Sequence, residues 1–258
     1  MSDILMLFMG GFLAGTLGGF LGIGGGIVLM PMLRFLVGLS PANAAGTCVL
    51  AVFFTTLGGS YRHYKLGNIN LRSVTPIMIS GAIATAIFSY GFLYLSTRER
   101  WLDLGMGLVF ALISLRMIAE GIPGLIKKYE NNNSNEINGP LIHKISIGSI
   151  AGVLPGLLGI GTGVILVPAF IYILNAPIKL AMASSLTCFS VNALISSGFK
   201  YWQGFIDLNV AIPICLGTLL GANMGATLNK RTSSKVLKLV FGLVFSYVAL
   251  KFFLSFMS

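Results

Sequence analysis

Two glycine clusters are the residues of this sequence whose type and spacing best suit a chemical role. The first reads Gly22-Ile-Gly-Gly-Gly26 and precedes Pro31, and the second reads Gly159-Ile-Gly-Thr-Gly163 and precedes Pro168. Glycine and proline both disfavour helix interiors, so each cluster predicts a break within an apolar helical segment. A helix that begins directly after such a break presents free backbone N–H groups and a positive dipole end, which attract anions.

The cluster residues therefore predict an anion-binding site formed by backbone, without any buried lysine or arginine. The cluster part of this predicted site is Gly22, Gly24, Gly25, Gly26, Gly159, Gly161, Thr162 and Gly163. The alternative is that glycines only permit close helix packing, as small residues four positions apart do in membranes. Gly11, Gly15 and Gly19 have that spacing, and for them packing is the better interpretation.

Small polar side chains follow each cluster at equivalent distances. They are Thr47 and Cys48 in the first half and Ser184, Ser185 and Thr187 in the second. Hydroxyl groups near the membrane centre can donate to the oxygens of an anion, and a thiol such as that of Cys48 can react with a sulfur compound. We therefore include all five residues in the predicted site. The alternative for a hydroxyl is a bond to the carbonyl four residues earlier. For Cys48 the alternative is a small buried residue without chemistry.

The chain contains an internal repeat. A shift of 137 residues superimposes the two clusters and also pairs Gly11 with Gly148 and Tyr64 with Tyr201. Such a fixed shift indicates two copies of one structural unit. We assign residues 1–123 to the first transmembrane repeat, 124–143 to a polar cytoplasmic linker and 144–258 to the second repeat.

The composition places both repeats in a membrane. Of the residues, 55% are hydrophobic and 9% are charged, whereas soluble domains carry roughly 25% charged residues. The apolar segments are 4–38, 43–60, 73–95 and 102–122, and then 145–175, 178–198, 208–228 and 236–256. We predict an all-α polytopic membrane protein with two pseudo-symmetric repeats, each a broken or re-entrant Gly-rich segment plus three transmembrane helices.

The positions of lysine and arginine favour inverted repeats. If each Gly-rich segment enters and leaves on one side, eleven basic residues face one side and five face the other. Parallel repeats would give eight and eight. Because basic loops mark the cytoplasmic side, we predict inverted repeats with both termini outside. The five residues on the outer side are Arg34, Arg98, Arg100, Lys200 and Lys251.

Several classes of function are not expected. All seven acidic residues fall in predicted loops or near helix ends, which argues against a carboxylate proton relay or a cation pathway. The sequence lacks GxSxG, HExxH and Walker A motifs, and its three cysteines lack CxxC spacing. We therefore predict no enzyme, no metal site and no cofactor. The net charge of +10 is spread over loops, so nucleic acid is not an expected partner.

The doubled pattern resembles the TauE/SafE family of sulfite and organosulfonate transporters. The resemblance is carried by Gly15–Pro31, Gly46–Val49 and Tyr64–Ile69, with echoes at Gly152–Pro168, Ala183–Leu186 and Tyr201–Ile206. It implies transport of a small sulfur-containing anion such as sulfite, sulfoacetate or another organosulfonate, across a bacterial or archaeal cytoplasmic membrane. The chain departs from the family pattern at Cys48, where serine is usual, and at Thr162, where the first cluster has glycine.

We predict a secondary transporter that binds its anion near the membrane midplane between the repeats. The alternatives are a passive anion channel and a non-transporting membrane scaffold subunit. The sequence leaves open the direction of transport, the coupling ion (H⁺ or Na⁺) and whether the protein forms a homo-oligomer. A bulky residue in place of Gly25 or Thr162 is expected to abolish transport and leave folding intact.

Overall fold

The computed structural model describes residues 2–121, 137, 139–228 and 234–257. Within these ranges the chain is helical and contains no strand. The helices are α1 (Ser2–Leu21), α2 (Gly26–Pro31), α3 (Pro41–Lys65), α4 (Leu71–Ser96), α5 (Glu99–Gly121), α6 (Leu141–Leu158), α7 (Gly163–Pro168), α8 (Ile178–Trp202), α9 (Leu208–Leu228) and α10 (Ser234–Met257). Helices α2 and α7 each continue directly as a π-helical turn, over Met32–Leu36 and Ala169–Ile173.

Seven of the described helices are long and apolar enough to cross a membrane, namely α1, α3, α4, α5, α6, α8 and α9. Their outer faces carry large apolar side chains such as Ile83, Leu112 and Leu216, each more than half exposed. Lipid solvates such side chains well, whereas water would not. The predicted fold class, an all-α polytopic membrane protein, is confirmed.

The helix ends differ from the predicted segments at a few positions. Helices α3 and α8 extend to Lys65 and Trp202, beyond the predicted ends at 60 and 198. Long basic and aromatic side chains let a helix continue past the apolar core, because their stems stay apolar while their tips reach polar surroundings. Helix α6 begins at Leu141, so residues 141–143 of the predicted linker are helical. Most of the rest of the linker lies outside the described residues.

The first Gly-rich segment folds back on itself after the break. A Cβ atom added at Gly25 would lie 2.8 Å from the carbonyl oxygen of Ala14, and one at Gly10 would lie 2.5 Å from the Met32 side chain. The chain after the break therefore runs back along α1. The helix over Gly26–Leu36 is also too short to cross, because its length of about 16 Å is roughly half of the bilayer core.

Each half packs through glycines against a helix of the other half. Three glycines of α1 contact successive turns of α9, and three glycines of α6 contact successive turns of α4: Gly11, Gly15 and Gly19, then Gly148, Gly152 and Gly156. The nearest atoms are mostly backbone, so a side chain at these positions would separate the helices. The packing interpretation of Gly11, Gly15 and Gly19 is confirmed.

Equivalent helices of the two halves run in opposite directions where they meet. The Ser255 hydroxyl near the end of α10 donates to the Asp103 carboxylate near the start of α5. The Ser114 hydroxyl, later in α5, donates to the carbonyl of Gly242, earlier in α10. Helices α5 and α10 are therefore antiparallel, and from this we infer that the two repeats are inverted.

Candidate functional site

The two helix breaks meet inside the bundle. A Cβ atom added at Gly26 would lie 2.9 Å from the amide nitrogen of Gly161, and one at Gly161 would lie 2.6 Å from the carbonyl oxygen of Ile23. Gly163 likewise contacts Gly22 and Ile23. The clusters are far apart in sequence, yet their backbones touch, and glycine is required because side chains would not fit between them.

Other side chains enclose the paired breaks. The ring of Phe189, fully buried in α8, lies against both Gly24 and Gly161. Gly22 packs against Met182, and Gly159 packs against the backbone of Ala45. The sequence analysis did not select Phe189, because a single aromatic residue in an apolar helix looks like any other core residue.

The two breaks have different backbone conformations. Gly22, Gly24 and Gly25 have φ angles of 73°, 80° and 73°, the left-handed region that side chains disfavour. In the second break Gly159 has a φ of 66°, but Thr162 has a φ of −79°. Thr162 stands where Gly25 stands in the first repeat, and its ordinary φ explains why a residue with a side chain is tolerated there.

The helices that follow the breaks begin at the point where the breaks touch. The first intrahelical bonds run from the Val28 amide to the Gly25 carbonyl and from the Ile165 amide to the Thr162 carbonyl, at 3.0 and 2.9 Å. The amides of the first residues of a helix lack intrahelical acceptors. The amide groups at the starts of α2 and α7 therefore converge, each with the positive end of a helix dipole.

Two hydroxyl groups of the predicted site are buried without a partner. Among the described residues no hydrogen-bond partner is present for Thr162 Oγ1 or Ser184 Oγ, and both residues are fully buried. Leaving a buried hydroxyl unpaired costs about 1–3 kcal/mol. Such groups in a native structure usually mark a place for water or a ligand.

Cys48 and Ser185 contact the first break directly. The Cys48 thiol donates to the Gly26 carbonyl at 3.7 Å, and the Ser185 hydroxyl donates to the Gly22 carbonyl at 3.2 Å. The Gly22 carbonyl lies in the break, past the end of α1, and the Gly26 carbonyl belongs to the first residue of α2. Both side chains therefore fix the orientation of the break.

Thr47 and Thr187 are hydrogen-bonded elsewhere. The Asp207 amide donates to Thr47 Oγ1 at 3.1 Å, which links α3 to the start of α9. The Thr187 hydroxyl donates to the Ala183 carbonyl at 2.9 Å, four residues earlier in the same helix. This is the local bond that competes with ligand binding for any membrane hydroxyl.

A bulky residue at Gly25 would not leave folding intact, so that expectation was wrong. Gly25 has a left-handed φ, and an added Cβ would lie 2.8 Å from the Ala14 carbonyl oxygen. Neither the φ nor the backbone oxygen can shift without moving α1. Thr162 has an ordinary backbone conformation and remains the better position for a test.

The structure places a lysine in this region that the sequence analysis assigned to a loop. Lys200 lies within α8 and is fully buried. Its ammonium group donates to the carbonyls of Pro155 and Gly156 at 3.0 and 2.7 Å and to the Ser196 hydroxyl at 2.9 Å. The loop assignment of Lys200 was therefore wrong, and so was the expectation of a site without buried lysine. The sequence held one indication that Lys200 lies in a helix: Ser196, four residues earlier, falls on the same helix face.

Comparison with known proteins assigns this architecture to a family. A family model described as "Sulfite exporter TauE/SafE" matches residues 7–252. The chain belongs to the TauE/SafE family. It is 25% identical to the probable membrane transporter protein YunE of Bacillus subtilis, over 84% of this chain and 85% of YunE.

Other TauE/SafE relatives come from bacteria and from an archaeon. A probable membrane transporter protein of Methanocaldococcus jannaschii is 29% identical over 80% of this chain and 79% of its own length. One from Haemophilus influenzae is 30% identical over 72% of this chain and 69% of its own. No solved structure matches the chain. This TauE/SafE protein is thus a multi-pass membrane transporter of the cytoplasmic membrane.

Proposed function

We propose that this protein is a secondary transporter of a small sulfur-containing anion, such as sulfite, sulfoacetate or another organosulfonate. The anion binds near the midplane, between the starts of α2 and α7. One observation carries the proposal: two helix N-termini converge, and two nearby hydroxyls are buried without a partner among the described residues. They belong to Thr162, in the second break, and to Ser184, the neighbour of the Ser185 that contacts the first break. The family name of the matching model supports the choice of a sulfur oxyanion.

The donors suit an oxyanion because they approach from both repeats. The amides at the starts of α2 and α7 donate to the anion's oxygens, and the hydroxyls of Thr162 and Ser184 add two further donors. Hydrogen bonds to an ionised acceptor contribute about 1.5–3 kcal/mol each. Cys48 and Ser185 hold the carbonyls of Gly26 and Gly22, and so keep the break amides directed toward the anion.

Access to this site requires movement. The breaks are in van der Waals contact around Gly26 and Gly161, so the anion enters only when the two re-entrant segments separate. Inverted repeats provide two equivalent ways of separating, one toward each side of the membrane. Transport by alternating access follows from that symmetry, and a saturable rate distinguishes it from a passive anion channel.

The test is uptake by purified protein in liposomes, with Thr162→Val and Ser184→Ala as variants. The panel contains sulfite, thiosulfate, sulfoacetate, isethionate and taurine, with phosphate, acetate and chloride as controls. We expect saturable uptake of one sulfur oxyanion, and about a tenfold higher KM in each variant, since each loses one hydrogen bond to an ionised group. Thr55→Val is the matched control, because its hydroxyl already donates to the Ala51 carbonyl.

Four results would contradict the proposal. Folded protein that transports no member of the panel would exclude this substrate class, and flux that never saturates would indicate a channel. Protein that binds none of the anions and co-purifies with another membrane protein would indicate a scaffold subunit. An unchanged KM in both hydroxyl variants would show that the anion does not bind at the paired breaks.

A further inference from the structure

Lys200 has a place in the structure that the proposed function does not use. Its ammonium group lies at the last turn of α6, directly before the second break. We propose that Lys200 is the counter-charge of the transported anion, and that it sets a preference for anions with two negative charges over anions with one. This inference rests on the proposed function and adds to it the residue that selects substrate by charge.

The first argument is that Lys200 is a buried cation without a described carboxylate partner. Its three donors meet two backbone carbonyls and one hydroxyl, all neutral. Of the carboxylates whose side chains the structure describes, Asp103 pairs with Arg34, Asp207 accepts from backbone amides at the start of α9, and Glu99 is exposed. A buried charge costs several kcal/mol unless an opposite charge compensates it.

The second argument is position. Gly156, whose carbonyl accepts from Lys200 at 2.7 Å, lies three residues before Gly159, the first residue of the second break. An anion held between the two breaks would therefore experience this charge through a medium with little screening.

The third argument is that the fold does not need a lysine to end such a helix. The shift of 137 residues places His63 at the position of Lys200. In the first repeat the equivalent carbonyl, that of Gly18, accepts from backbone, with the Ile23 amide donating to it at 3.1 Å. The His63 ring instead contacts the Asn68 side chain at 3.4 Å. The positive charge at the second break is therefore an addition to the shared architecture.

The Phe92 ring supports the same assignment. The Lys200 ammonium lies 4.3 Å from the centroid of this ring, and Phe92 is itself fully buried. A cation over an aromatic face keeps its charge stabilised without a carboxylate that would neutralise it. The field of Lys200 therefore remains available to an anion.

The test compares binding of two probes to the purified full chain: sulfoacetate, with two negative charges, and ethanesulfonate, with one. The main variant is Lys200→Gln, whose amide keeps N–H donors for the α6 carbonyls but removes the charge. If about 10 Å separates the ammonium from the bound anion, loss of the positive charge weakens the binding of ethanesulfonate roughly tenfold and that of sulfoacetate roughly a hundredfold. The effect is larger for sulfoacetate because Coulomb energy scales with the charge of the ligand. Lys200→Arg keeps the preference, and so does Lys179→Gln, which removes an exposed charge from the same helix.

A second variant covers the case in which Lys200→Gln does not fold. Ser196→Asp places a carboxylate beside the ammonium, since the serine oxygen is 2.9 Å from Lys200 Nζ. It cancels the charge and leaves Lys200 in place, so the sulfoacetate-to-ethanesulfonate affinity ratio falls about tenfold. Ser196→Ala is its control.

The outcomes separate this inference from the proposed function. If the wild-type protein binds neither probe nor any other anion of the panel, the proposed function fails. If the wild type binds both probes and the charge-removing variants weaken them equally, Lys200 only caps α6 and the inference is overturned. Unchanged affinities in a folded Lys200→Gln or Ser196→Asp protein overturn it as well.

Discussion

The ends of α1 and α6 are equivalent in the repeat, yet they are closed by different chemistry. At the end of α1 the amides of Ile23 and Gly24 return to the Gly18 carbonyl, at 3.1 and 3.4 Å. At the end of α6 the carbonyls of Pro155 and Gly156 are taken by Lys200. Both halves keep the backbone break, and at the end of α6 the second half adds the positive charge of Lys200.

The periphery of the two halves shows both a shared feature and a difference. The Arg116 guanidinium lies 5.9 Å from the Tyr172 ring centroid, and the Lys251 ammonium lies 5.4 Å from that of Phe35. These two cation–aromatic pairs occupy equivalent positions of the repeats. The ion pair between Arg34 and Asp103, at 2.9 Å, belongs to the first half alone, since Ile171 stands at the position equivalent to Arg34.

The largest expected effect is in a labelling experiment that tests whether the two halves are inverted, on which the comparison of the halves depends. Lys65 and Trp202, both exposed at the equivalent ends of α3 and α8, are replaced one at a time by cysteine in a background without the native cysteines. Inverted repeats with both termini outside predict that an impermeant maleimide labels position 65 from the cytoplasmic side alone and position 202 from the outer side alone. Labelling of both from one side would contradict the inversion.

The next effect distinguishes the two breaks by backbone. Gly25→Val is expected to lower the free energy of unfolding by about 3 kcal/mol or more, since it combines a left-handed φ with a clash against the Ala14 carbonyl. Thr162→Ala, at the equivalent position, removes only a hydroxyl without a partner among the described residues. The free energy of unfolding of this variant should lie within about 1 kcal/mol of that of the wild type. Thermal unfolding in detergent measures both, and equal stability of the two variants would refute the backbone difference.

The smallest effect concerns the ion pair found in the first half. Asp103→Asn removes the charge that accepts from Arg34 and Ser255. Because the Arg34 side chain is 20% exposed, we expect a loss of about 1–2 kcal/mol in stability, less than for a fully buried pair. Anion affinity should not change, since this ion pair contacts neither break among the described residues. A changed KM in a stable variant would link the ion pair to transport.

Much of the fold could be predicted from local patterns. Apolar segments of bilayer length predicted the long helices, and the clusters Gly22–Gly26 and Gly159–Gly163 predicted where helices break. Such features depend on neighbouring residues in the chain, because helix length and backbone conformation are decided within a few residues. The repeat added further information, because comparison of the two copies indicated which glycines share a role.

The partners of individual side chains could not be predicted in the same way. The sequence indicated that Ser185 and Cys48 lie after a break, but not that each donates to a break carbonyl. It also gave no reason to separate Thr162 from Thr187. The Thr162 hydroxyl has no partner among the described residues, whereas the Thr187 hydroxyl donates within its own helix. These differences arise from contacts between segments that are distant in the chain.

The sequence by itself determined that this is a helical membrane protein of two repeats with glycine breaks at equivalent positions, because composition and spacing fix those properties locally. Only the tertiary structure decided that the breaks touch each other and that Lys200 is buried at one of them. From sequence alone, a lysine near a helix end is assigned to a loop, because its hydrogen-bond acceptors are not known. Here the acceptors are the free carbonyls of α6, which packing alone brings to α8.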